Sequence, residues 1–122
     1  MLPVIEHTKT VYRLWLPIRR NMGRDERFGI GSKIDALLID LLETLRIATY
    51  AGQNDKLHLL VRTIGITDSL RFFLQIAWES KLIAAKQYEE LAVHTEEVGR
   101  MIGGWRKGLL AKTPPSGGER KE

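Results

Sequence analysis

Apolar residues recur at alternating steps of four and three along most of the chain, the spacing of helices that bury one face. Val4, Thr8, Val11, Trp15, Ile18 and Met22 share such a face and predict a first helix over residues 4–22. His7, Lys9, Arg13, Arg20 and Arg24 fall mostly away from it. Pro17 removes the backbone bond to the Arg13 carbonyl and crowds that turn. The expectation is therefore a kink there, or a helix end followed by a short second turn. Either would splay Arg19 and Arg20 from the line of Lys9 and Arg13.

Residues 23–31 read as a loop punctuated by Gly29 and Gly31, with Ser32 as the N-cap of the next helix and Asp35 three residues on. Arg24 and Arg27 in this loop could contact phosphate or pair with Asp25 and Glu26. A second helix is expected over residues 32–51, where Ile34, Leu37, Leu38, Leu41, Leu42, Leu45 and Ala48 form a broad apolar stripe. Gly52 is its expected C-cap. The link to a third helix, starting near Asp55, is very short, which implies antiparallel neighbours. Leu57, Leu60, Val61 and Ile64 give the first half of that helix its apolar face. Gly65 interrupts it at about 1 kcal/mol, the usual helical cost of glycine, and suggests a kink or a close contact.

Residues 70–78 are apolar almost all round, with Arg71 and Gln75 the exceptions. One side of a small bundle cannot bury all of that. Either Leu70, Phe72, Phe73, Ile76 and Trp78 face a partner or a second copy, or the segment lies unusually deep in one bundle. A fourth helix begins near Ala85, with Tyr88, Leu91, Thr95, Val98, Ile102, Trp105 and Leu109 as a heptad-like seam. Ala92, Gly99 and Gly103 lie beside the seam. Residues 96–110 hold Gly99, Gly103, Gly104 and Gly108, each costing about 0.5–1 kcal/mol against alanine in a helix. Close approach by a neighbouring helix, with Phe72, Phe73 or Trp78 opposite, would offset that cost.

The pattern thus gives an all-α, antiparallel up-down four-helix bundle over residues 1–111 and a disordered tail over residues 112–122, where Pro, Gly and charge replace periodicity. No apolar run reaches a membrane span, and no basic-then-apolar leader opens the chain, so a cytoplasmic protein is expected. With no cysteine, there is no disulfide or thiolate chemistry.

Charge adds one feature. The net charge is +4, but Lys9, Arg13, Arg19, Arg20 and Arg24 follow one another without an intervening acid. Such a block suits an anionic partner such as nucleic acid, or is simply a solvated helix face. Candidate catalytic chemistry does not emerge. The three histidines, His7, His58 and His94, sit on different predicted helices without metal-ligand spacing. The glycines do not form a phosphate loop, and no serine has a nucleophile-elbow context. No enzyme, cofactor or metal is expected.

Several segments resemble a known family. They are Ile-Asp-Ala-Leu-Leu-Ile-Asp-Leu-Leu-Glu from Ile34 to Glu43, Tyr50 and Ala51, Leu70-Arg71-Phe72, Gln87-Tyr88, and above all Glu97-Val98-Gly99-Arg100-Met101-Ile102-Gly103-Gly104-Trp105. Together with Pro17 near the end of the first helix, they are similar to the four-helix-bundle proteins that include Avd, the accessory protein of diversity-generating retroelements. Relatives are encoded by intervening sequences in bacterial 23S rRNA genes. The resemblance implies a homopentameric barrel, basic surfaces that bind RNA or DNA with little sequence preference, and association with a reverse transcriptase. It places Arg71 on a basic contact surface. The expected nucleic-acid contacts are Lys9, Arg13, Arg19, Arg20 and Arg24, with Arg71, Arg106 and Lys107 as secondary candidates. The alternatives are a protein-interaction scaffold, or an rRNA intervening-sequence protein without a retroelement partner.

Overall fold

A computed structural model describes residues 2–112. Among them are four long helices and one short one: α1 (Pro3–Arg20), α2 (Arg24–Phe28), α3 (Ile30–Tyr50), α4 (Gln53–Glu79) and α5 (Ala85–Lys112), with no strand. The rest of the expected tail, residues 113–122, lies outside the described residues. No described helix is long and apolar enough to cross a membrane.

The long helices pack in a ring, α1 on α3, α3 on α4, α4 on α5, and α5 back on α1. The core is their shared interior: Val4, Val11, Trp15, Ile34, Leu38, Leu41, Leu45, Leu60, Leu70, Leu74, Leu91, Val98 and Ile102 are all buried. Five threonines join them, Thr8, Thr44, Thr63, Thr67 and Thr95. Four donate their hydroxyls to a carbonyl three or four residues back at 2.7 Å, so their methyl groups enter the core with no unsatisfied polar atom.

This explains a departure in α4. Its buried seam is Leu60, Thr63, Ile66, Thr67, Leu70, Leu74 and Ala77, whereas Val61, expected on the apolar face, is exposed. Two threonines occupy core positions that a count of apolar residues passes over. Leu70 is therefore in the chain's own core and is not part of a surface offered to a partner. Of the remaining apolar residues in that segment, Phe73 and Ile76 are half-buried, while Phe72 and Trp78 are exposed. Trp78 stacks on Tyr88 of α5, ring centroids 4.7 Å apart.

Pro17 stands in the last turn of α1, and the helix runs through it to Arg20. The region read as a loop holds α2 instead, and α3 begins at Ile30, two residues before Ser32. Gly52 caps the start of α4, not the end of α3. The close approaches that favour glycine lie around α2, at Gly29, 3.1 Å from the Asp25 carbonyl oxygen for an added Cβ, and at Gly31. A Cβ there would stand 3.0 Å from the Glu26 carbonyl oxygen and 3.3 Å from Met22 Sδ. On α5 the expectation fails: a Cβ on Gly99 would meet Arg71 and Thr67 at ordinary contact distance, and one on Gly103, Gly104 or Gly108 would meet nothing. Gly65 is likewise open and does not interrupt α4. Gly99 thus lies beside α4 without needing to be glycine, and Gly65, Gly103, Gly104 and Gly108 face no neighbouring helix among the described residues.

Candidate nucleic-acid interface

α1 sorts its basic residues onto two faces. Tyr12, Trp15 and Arg19, spaced three and four apart, point toward α3 and converge on Asp35. Trp15 Nε1 donates to Asp35 Oδ1 at 3.3 Å, and Arg19 Nη1 lies 3.6 Å from Oδ2. Partial burial, and then the Asp35 carboxylate beside it, push the Tyr12 phenol above its ordinary pKa. Arg19 also donates from Nη2 to Ser32 Oγ at 3.0 Å and from Nε and Nη2 to the Arg27 carbonyl at 3.4 Å. It ties α1, α2 and α3 together, and its guanidinium is committed. Sequence reading grouped it with Arg20. The signal that separates them is its place on Trp15's side of the helix.

Lys9, Arg13 and Arg20 lie on the other side, at steps of four and seven that return to one face. The stripe spans eleven residues of rise, roughly 16 Å, and Arg24 on α2 continues beyond it. Arg13, Arg20 and Arg24 are exposed. Within this group the described salt bridges include only Lys9 with Glu6, 3.0 Å apart; that hydrogen bond holds the Glu6 carboxyl below the usual carboxylate range.

The secondary candidates do not join this stripe. Arg71, in the α4–α5 groove, is bound to Glu96 at 2.8 Å and to Asp68. Its charge is locally neutralised, which removes it from the readily available cations. Arg106 and Lys107 are exposed in α5, next to Trp105. Trp105 and Met101 line a cavity of about 410 Å³ with Leu2, Pro3, Val4, Thr49 and Lys56. That cavity sits at the start of α1, so Arg106 and Lys107 are about a helix length, roughly 25 Å, from Arg20. Among the described residues Lys56 is its only charged lining residue, and it lies 5.9 Å over the Trp105 ring.

Folding also unites two histidines that the sequence left apart. His94 Nδ1 and His7 Nε2 are 3.0 Å from each other across the α1–α5 interface. Eighty-seven residues separate them, so no local spacing could have shown it. No three His, Asp or Glu side chains among the described residues are grouped to hold a metal ion.

No curated protein matches the chain. The family model described as bAvd-like matches residues 4–109, from the first turn of α1 almost to the end of α5. The chain therefore belongs to the bAvd-like family.

Proposed function

We propose that the protein is a non-enzymatic, cytoplasmic accessory protein that binds RNA or DNA through its phosphates and works as a homo-oligomer, a pentamer in the manner expected of Avd-like bundles. The observation that carries this reading is the outward stripe of α1, where Lys9, Arg13 and Arg20 share one face, Arg24 continues it, and Lys9 is paired with Glu6. Five copies around a ring would repeat the stripe, so weak contacts would add through avidity. The contacts of helix starts with helix ends, such as Lys33 over Phe73 and Lys56 over Trp105, support an antiparallel up-down order. In this reading the assembled protein serves a reverse transcriptase of a diversity-generating retroelement.

A gel shift with RNA and DNA oligonucleotides across a salt series tests it. Binding at low salt should fall steeply as salt rises. Combining Lys9→Glu, Arg13→Glu and Arg20→Glu should lower the slope of log K against log salt by about 2–3 per chain, whereas Arg106→Glu with Lys107→Glu should leave it nearly unchanged. Absence of binding at low salt overturns the reading; a slope unmoved by the α1 changes overturns the site.

A second reading, a protein-interaction scaffold with no nucleic-acid role, draws on the exposed apolar residues Ile39 and Ile47 of α3 and Val61 and Phe72 of α4. A partner that co-purifies with a protein inert toward oligonucleotides would favour it.

A further inference from the structure

α2 is five residues long and none of them is buried. A helix that contributes nothing to the core has to be held some other way. Here the Arg27 carbonyl accepts hydrogen bonds from Arg19 of α1 and from Ser32 Oγ of α3, at 3.4 and 3.2 Å. These polar contacts fix the position of α2 while leaving its outer side open.

What that side carries is specific. Arg24, Arg27 and Phe28 stand at i, i+3 and i+4 and so share a face, with Asp25, three residues before Phe28, at its edge. Phe28 is 63% exposed, more than either other phenylalanine, and the Arg27 guanidinium carbon lies 5.4 Å from its ring centroid. An isolated apolar ring on a solvated helix gains nothing from burial. With the Arg27 guanidinium along one side and Arg24 one turn back, it forms an aromatic platform beside cationic side chains.

We propose that Phe28 is a base-stacking platform that makes the α1–α2 surface select single-stranded over duplex nucleic acid. The proposal rests on the phosphate-binding reading above and adds to it a ligand class. Phosphates along the α1 stripe are common to single strands and duplexes. A free base face is not: in a duplex the faces are already stacked, so only an unpaired base can lie on the Phe28 ring. Charge complementarity chooses this occupant over an apolar protein surface, because the Arg27 guanidinium over the ring, and Arg24 one turn back on the same helix, would have to be desolvated against such a partner.

The test is filter binding of the full-length protein to an oligothymidylate and to a duplex of equal length at low salt, comparing wild type, Phe28→Ala and Phe28→Trp. Phe28→Ala should weaken single-strand binding by roughly 5- to 150-fold, the range for losing one stacked base, with duplex binding unchanged. Phe28→Trp should keep wild-type affinity for the single strand. Unchanged single-strand binding by Phe28→Ala overturns the proposal, as does an equal loss on the duplex. A change in oligomer mass by light scattering would make Phe28 a subunit contact and overturn it too. Wild type that binds neither ligand removes the phosphate-binding reading itself; wild type that binds both, with Phe28→Ala indistinguishable from it, removes only the stacking platform.

Discussion

The space around a missing side chain decides what adding one does. Gly31 is enclosed by Glu26, Met22 and Arg19, and Gly103 faces open space. Gly31→Ala should therefore destabilise the fold by about 1–3 kcal/mol through overpacking. Gly103→Ala should be neutral or stabilising by up to about 1 kcal/mol, since alanine is the better helix former. Urea denaturation of the two variants checks this, and the opposite order would show the packing account to be wrong. That space was not legible, because sequence reports the cost of a missing side chain but not its surroundings, whereas Trp15 was: spacing alone put it on the buried face of α1, and it is fully buried. Arg19 lies between the two. Its charge was evident, but its partner Asp35 is brought to it only by tertiary packing.

At the scale of elements, the long helices were readable because a buried face imposes its period on many residues at once. α2 was missed although its pattern is present, with Asp25 and Glu26 in the first turn and Arg27 in the last, matching the helix dipole between two glycines. Five residues are too few for apolar periodicity to register. The junction of α1 with α5 adds a property that no single helix encodes. The His94–His7 hydrogen bond needs one unprotonated nitrogen to accept. His94→Ala should lower stability by about 0.5–1.5 kcal/mol, the net worth of one hydrogen bond; urea unfolding unchanged from wild type would refute it.

For the whole molecule, the ring of four long helices leaves Phe72 and Trp78 outside the core, along with Ile39, Ile47 and Val61. Within the proposed assembly these residues are the surface that copies of the chain would cover. Light scattering should give five times the 13.9 kDa chain mass, about 70 kDa, and Phe72→Glu should reduce it; a monomeric wild type would refute the assembly. The family was legible from residues 97–105 and its neighbours, whereas the division of basic residues between the two faces of α1 required the fold. The placement of the tryptophans has an optical consequence. Trp15 is sealed in the core, Trp78 lies flat on Tyr88 at the surface, and Trp105 borders the end cavity beneath Lys56. Each indole samples a different dielectric environment, so variants retaining one tryptophan apiece would emit separately from the interior, the α4–α5 surface and the cavity end.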